Sequence, residues 1–434
     1  MPRVLNVAVE GCCHGALDNI YSQLLARQQR ANKTVDLLII CGDFQAIRNV
    51  TDLGCMSCPD KYKQIGGFYR YYTGEKAAPV PTIFVGGNHE AGNHMRELHY
   101  GGWVAPNIYF LGSSGVVRFG GLRIGGISGI YKDHDYPKGF FEYPPFGGHA
   151  RSAMHHVRSF EAFKMLQIRQ PLDIVVSHDW PARIERCGDT EGLLRAKPFF
   201  RAEVERGDLG SPVNSMLLER LRPAWWFSAH LHVRFTAEVL AHDIIDRDGF
   251  LSLDKCLPRR DFLEIIEVEV PDNATSGLPQ LEYDPEWLAI LRLCHPYMPL
   301  DEMPFNPPTL AAMTGGEGQL PLFPDALLKR EVDWVQENVF KHGPKPIPPN
   351  FVPVAPAPPT GTPDHVSFGL ARSTDRRDRG RGRGRGGSRG RGQQRRDDAP
   401  WPGPRPDTIY PNPQTDDFCR MLAIHDQLTQ RRRR

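Results

Sequence analysis

Six apolar runs of strand length punctuate the first part of the chain: Val4-Leu-Asn-Val-Ala-Val9, Val35-Asp-Leu-Leu-Ile-Ile40, Thr82-Ile-Phe-Val85, Leu122-Arg-Ile124, Leu172-Asp-Ile-Val-Val176 and Trp225-Trp-Phe-Ser228. Near-continuous hydrophobicity of this length belongs to strands covered on both faces. Between several runs the apolar spacing becomes helical. Leu17, Ile20, Tyr21, Leu24 and Leu25 precede the second run, and Phe160, Phe163, Leu166 and Ile168 precede the fifth. Such alternation predicts a layered α/β domain over residues 1–240.

The texture then changes. Phe262-Leu-Glu-Ile-Ile-Glu-Val-Glu-Val270 alternates like a half-exposed strand, and Asp284-Pro-Glu-Trp-Leu-Ala-Ile-Leu-Arg292 opens like a helix. Residues 241–344 are therefore expected to form a smaller unit packed on the first. Residues 345–406 pass through proline, Arg-Gly repeats and proline again, a composition that cannot bury enough apolar surface to order itself. In residues 407–434, Thr415 followed by Asp416 and Asp417 predicts a short helix start, with Phe418, Met421, Leu422 and Leu428 on one face. That helix is expected to dock back on the body, ahead of a basic end.

Charge sharpens this division. The chain carries a net +2, yet eleven arginines against Asp375 and Asp378 lie between Arg372 and Arg396, and Arg431 to Arg434 add four more. The remainder is acidic, so attraction to a polyanion has to come from the tail, bound metal ions or a local patch. The Arg-Gly segment reads equally as an RNA contact or a protein-interaction tail. The last arginines read as a solvated end or a nuclear-import signal.

Nine cysteines at irregular spacing argue for reduced thiols of the nucleus or cytosol, and Cys55-Met-Ser-Cys58 lacks a second such pair to complete a zinc site. Nothing at the N-terminus resembles a signal peptide, and no apolar stretch approaches the roughly 20 residues of a membrane span. No membrane partner is expected.

Chemistry collects just after the apolar runs. Cys12 and His14 follow the first; two apart in extended chain, they can reach one ion while Cys13 faces the packing. Asp43 follows the second, and a strand-end carboxylate can bridge two divalent ions roughly 3.5–4 Å apart. Gly86-Gly87-Asn88-His89-Glu90 follows the third, where two glycines suit a turn that puts the amide oxygen of Asn88 on a metal. His178 follows the fifth, and His230 with His232 repeat the first spacing after the sixth. Singly, such residues cap turns and helices. In series, at one edge of a parallel sheet, they read as a two-metal phosphoesterase site.

Cys12-Cys-His14, Gly42-Asp43, Gly87-Asn88-His89-Glu90, His178 and Ala229-His230-Leu-His232 resemble the ligand series of the calcineurin-like metallophosphoesterases, with Cys12 where that family usually has aspartate. The surrounding phrases resemble the RNA lariat debranching enzymes: Glu10-Gly-Cys-Cys-His-Gly15, Cys41-Gly-Asp-Phe-Gln45, Phe68-Tyr-Arg-Tyr-Tyr72, Gly101-Gly-Trp-Val-Ala-Pro-Asn107 and Ser177-His-Asp-Trp-Pro181. Leu253-Asp-Lys-Cys-Leu-Pro258 and Asn412-Pro-Gln-Thr-Asp-Asp-Phe-Cys419 extend the resemblance to that family's C-terminal domain.

The resemblance implies a layered β-sandwich flanked by helices, a smaller C-terminal domain, and branched intron RNA as substrate. It implies one metal held by Cys12, His14, Asp43 and His232, and a second by Asp43, Asn88, His178 and His230. Hydroxide made available by the metals would attack phosphorus at the 2′,5′ bond, and His89 would protonate the leaving 2′ oxygen. Thiolate at Cys12 favours Zn2+ or Fe2+ over magnesium, with Mn2+ also open, unless Cys12 merely packs. A basic, aromatic loop with Tyr131, Lys132, His134, Lys138, His155, His156 and Arg158 would contact RNA, or is an ordinary polar surface loop. The alternatives are another metallophosphoesterase, such as a nuclease or protein phosphatase, and a non-catalytic scaffold of the same fold. The implied substrate places the protein in the nucleus, with the cytoplasm also open.

Overall fold

The computed structural model describes residues 3–240, 247–270, 279–307, 322–365 and 408–430. Among these residues lie strands β1 (Val4–Glu10), β2 (Leu37–Ile40), β3 (Thr82–Phe84), β4 (Gly102–Ala105), β5 (Ile108–Phe110), β6 (Ser114–Phe119), β7 (Leu122–Ile127), β8 (Ile174–Ser177), β9 (Trp225–Ser228), β10 (Phe235–Leu240), β11 (Arg247–Ser252), β12 (Leu263–Glu269) and β13 (Leu281–Tyr283). They make two sheets, ordered β12-β1-β2-β3-β5-β4 and β10-β11-β9-β8-β7-β6-β13. β1, β2, β3 and β5 run parallel in the first, as do β7, β8, β9 and β11 in the second.

The alternation within each run explains why the runs are apolar throughout. Val7, Val9, Leu37, Ile39 and Ile83 meet Ile124, Ile174, Val176, Phe227 and Leu251 in a core between the sheets. The intervening Ala8, Leu38, Ile40 and Phe84 point the other way, against Leu17, Ile20, Tyr21 and Leu24 of the helix Leu17–Ala31. On the second sheet Val175 and Trp226 face outward against Phe160 and Phe163 of the helix Ser159–Leu166 and Leu217 of the helix Pro212–Leu221. The layered sandwich flanked by helices is the fold that the sequence predicts. No helix of the described residues is long and apolar enough to cross a membrane.

Among the described residues, the segment 241–344 supplies strands to both sheets rather than a sheet of its own. β11 lies parallel to β9, and β12 pairs antiparallel with β1 from Val4↔Glu269 to Glu10↔Leu263. As an edge strand, β12 buries Leu263 and Val268 and leaves its glutamates partly or fully exposed, which is the origin of its alternating pattern.

Two expectations shift near the C-terminus. Residues 345–365, read from their prolines as unable to order, run along the body. Trp103 Nε1 donates to Pro348 O at 2.8 Å, Asn49 Nδ2 to Pro356 O at 2.8 Å, and Tyr69 Oη to Thr362 O at 2.6 Å. Proline has no N–H to satisfy, so donors of the body can hold such a segment by its carbonyls, and Ala355 N adds a bond to Tyr72 Oη at 2.7 Å. The Arg-Gly repeats and the terminal arginines lie outside the described residues. The last helix, Pro413–Met421, begins before Thr415 because Asn412 caps it, accepting from Gln414 N, with Pro413 in the first turn. It docks as expected: Gln414 exchanges hydrogen bonds of 2.8 and 2.9 Å with the main chain of Trp103, and Phe418 stacks on Tyr100.

Under that helix sits a wholly buried ionic knot. Arg48 donates to Asp52 at 2.9 and 3.1 Å and to Glu97 at 2.5 and 3.0 Å, while Tyr410 N donates to Glu97 Oε1 at 2.9 Å. It fixes the loop that follows β2 to the C-terminal segment. Removing one partner of a buried ionic pair strands the others. Arg48→Met should therefore lower the unfolding free energy by about 3–5 kcal/mol in urea titration; an unchanged midpoint would show that the knot does not stabilise the fold.

Candidate metal centre and active site

Parallel pairing sends the ends of β1, β2 and β3 to one edge of the first sheet and those of β8 and β9 to the adjoining edge of the second. The chain turns sharply there. His14, Asp43, His230 and His232 all have left-handed backbones, with φ of 46°, 48°, 60° and 52°. Non-glycine residues occupy that region at a cost of order 1–3 kcal/mol and cluster at functional sites.

The turns bring four donors together: ligand atoms of Cys12, His14, Asp43 and His232 all lie within 4.8 Å of one another. His14 Nε2 is 3.6 Å from Asp43 Oδ2 and 3.4 Å from His232 Nε2. On the other side of the carboxylate, His178 Nε2 is 3.4 Å from Asp43 Oδ1, and the rings of His178 and His230 are 4.9 Å apart. His178 Nδ1 donates to the carbonyl of Cys41 at 2.8 Å, which fixes the ring and turns Nε2 toward the site. Asp43 is 1% exposed. Burial would raise its carboxyl, but the charges of His178, His14 and His89 hold it well below the usual carboxylate range.

The residues fit divalent metal ions. Asn88 Oδ1 and His178 Nε2, on two of the strand-end loops, are buried without a hydrogen-bond partner, which an ion would supply. Two glycines make the close approach possible: a Cβ on Gly42 would fall 2.2 Å from His178 Nδ1, and one on Gly87 2.3 Å from Asp43 Oδ1. Cys12 is buried, with its Sγ accepting from His230 N at 3.2 Å. Burial, then Asp43 and Glu10, push its thiol well up, so ligation there has to displace a proton. His89 donates its main-chain N–H to Asp43 Oδ1 at 2.9 Å, and its half-buried ring stands 5.5 Å from that of His14.

The calcineurin-like phosphoesterase family matches residues 5–234, and the C-terminal domain of lariat debranching enzymes matches residues 247–374. The lariat debranching enzyme of Schizosaccharomyces pombe is 39% identical over 434 residues, covering 81% of this chain and 90% of that one. The chain belongs to the lariat debranching enzyme family. Its relative of that name in Mus musculus is 56% identical over 294 residues, 66% of this chain and 53% of that one. The Arabidopsis thaliana relative is 49% identical over 296 residues, 68% and 70% of the two chains. This lariat debranching family chain thus spans about half the length of the mouse relative it matches.

In this member of the debranching family, the expected RNA loop is only partly a surface. Lys132 and His134 are exposed and Tyr131 is half-buried. Arg158 and His155 are buried at 2% and 6% exposure. Arg158 spends its guanidinium on Glu142, Ala153 O and Asp135 O, the last at 2.7 Å. Lys138 and His156 both turn to Asp135, at 2.9 and 2.7 Å. Among the described residues, neither cluster suited to a metal contains Cys55 or Cys58, and none of the nine cysteines is in a disulfide.

The supports of the site escape sequence reading. Glu90 accepts from Phe44 N, Gln45 N and Gly87 N at 2.7, 2.8 and 3.0 Å, tying the loop after β2 to the loop after β3. Its presence in the Gly87-Asn88-His89-Glu90 phrase was the available signal. Glu10, wholly buried with neither carboxylate oxygen hydrogen bonded, is raised well above the usual carboxylate range by burial and then by Asp43. The Cys41 carbonyl leaves no trace in sequence at all. Gly87→Ala should weaken zinc or manganese binding more than tenfold by calorimetry, because backbone and carboxylate of Asp43 cannot both retreat; Gly147→Ala, with open space around it, should not. Equal affinities would separate Asp43 from metal binding.

Proposed function

We propose that this chain hydrolyses the 2′,5′-phosphodiester bond at the branch of excised intron lariats, as a metal-dependent phosphodiesterase. The observation that carries the reading is a buried, ionised Asp43 set between two groups of donors, with the His89 ring beside them, in a chain that matches a lariat debranching enzyme over 90% of that relative's length. Cys12, His14, Asp43 and His232 would hold one ion, and Asp43, Asn88, His178 and His230 another. When bound, such ions supply hydroxide near neutral pH and neutralise charge building on the phosphate.

The chain's own residues do the rest. His89, anchored through its main chain, is placed to protonate the 2′ oxygen as it leaves. Exposed Lys132 follows Tyr131 on the expected RNA loop and would supply a positive charge for phosphate. Tyr131 N donates to Asp179 Oδ2 at 3.2 Å, fixing this end of the loop beside His178 and offering a ring for base stacking. The Arg-Gly segment would add a weak, salt-dependent hold on RNA or on a protein partner. A nuclear place of action, with the cytoplasm as a second, follows from that substrate.

Two measurements bear on this. Incubated with zinc, iron or manganese, the protein should linearise a branched RNA containing a 2′,5′ bond and leave its 3′,5′ linear analogue intact; cleavage of the linear analogue alone would make it a different phosphoesterase. Replacing the soft thiolate by a hard carboxylate in Cys12→Asp should move the preferred metal from zinc or iron toward manganese. Unchanged selectivity in reconstituted protein would mean that the thiol is not a ligand.

A further inference from the structure

Away from the strand-end site, in the excursion between β7 and the helix Ser159–Leu166, three imidazoles surround one carboxylate. Asp135 has no exposed surface. His156 Nδ1 is 2.7 Å from its Oδ2, His134 Nε2 is 3.4 Å from the same oxygen, and His149 Nε2 is 3.4 Å from Oδ1. One donor atom each from His134, Asp135 and His156 lies within 4.8 Å of the others. Lys138 Nζ also reaches Oδ1, at 2.9 Å.

We propose that His134, Asp135 and His156, whose donor atoms already lie together, form a zinc site separate from the strand-end pair. His149, just outside that group, turns in as the fourth ligand, so that the ion staples the two ends of this loop. The spacing is the first argument. Tetrahedral zinc takes nitrogen and oxygen ligands at about 2.0–2.1 Å, which sets neighbouring ligand atoms about 3.3 Å apart. His134 and His149 stand at that separation from the carboxylate, beyond an ordinary hydrogen bond of 2.7–3.2 Å.

The second argument is the far side of His134. Its Nδ1 lies 3.2 Å from Asp133 Oδ1, so a second carboxylate fixes the ring and leaves Nε2 as the inward lone pair. A carboxylate behind a ligating imidazole is the usual outer support of a zinc site. The third is the ligand set itself. Three imidazoles and one carboxylate suit zinc better than magnesium, calcium or manganese, which prefer oxygen.

Position gives the site its consequence. His134 lies near the start of the loop, His149 in the helix Gly148–Ala153, and His156 where the chain returns to bridge Ile130. One ion would join all three segments. It would hold Tyr131 and Lys132 at the rim of the strand-end site. Lys138 now supplies the positive charge on Asp135 Oδ1, so it competes with a metal for that oxygen.

The test compares zinc content of the full chain with that of the His134→Ala/His149→Ala variant after dialysis against the same free zinc. Both side chains are more than half exposed, at 57% and 53%, so the variant keeps its core. The strand-end residues are common to both proteins, so their ions cancel. The full chain should retain one more zinc, and zinc should slow proteolysis within residues 132–158 in the full chain alone. Equal zinc content, or equal protection, would overturn the site. Lys138→Met should tighten zinc binding several-fold; unchanged or weaker binding would exclude Asp135 Oδ1 as a ligand atom.

Discussion

A buried carboxylate that cannot be left alone organises this protein. Asp43 is 1% exposed, yet it is held ionised, with His14 and His178 on opposite oxygens at 3.6 and 3.4 Å. An isolated charge in such a place is expensive unless positive charge faces it. Imidazoles supply part of that charge, and Asn88 Oδ1 is buried there without a hydrogen-bond partner. An ionised acid ringed by imidazoles is the kind of place a cation occupies, and four backbones there sit in the left-handed region.

The two sheets serve this arrangement. Their inward faces make one apolar core, so the strands cannot slide without moving every side chain to the wrong face. Position at the edge is then refined by polar ties. Glu90 binds two ligand loops through three main-chain donors, and the Arg48 knot clamps the first of those loops to the C-terminal segment. Residues more than three hundred positions apart in sequence thereby hold the same few ångströms of the site.

What the sequence made legible was local. The apolar runs marked strands because both faces are covered, and the ligands stood out because each follows a strand end. What it hid was pairing at a distance. β12 reads as part of a later unit, but its hydrogen bonds go to β1, and no local pattern encodes that choice. Arg158 and His155 look like surface cations of an RNA loop; Glu142, whose carboxylate draws Arg158 inward, is an ordinary acid in the sequence, and the Asp135 carbonyl that also holds it leaves no mark there. The prolines of residues 345–365 signalled lack of order because propensity counts donors, whereas these residues are held chiefly by the carbonyls they keep, with the N–H groups of Ile347 and Ala355 as further ties.

The central claim is that Asp43 is shared by two metal positions. Anomalous scattering from crystals soaked in zinc or manganese addresses it directly. Two strand-end peaks are expected, one in contact with Cys12, His14 and His232 and one with Asn88, His178 and His230, and both touching Asp43. A strand-end peak that does not touch Asp43 would contradict the account.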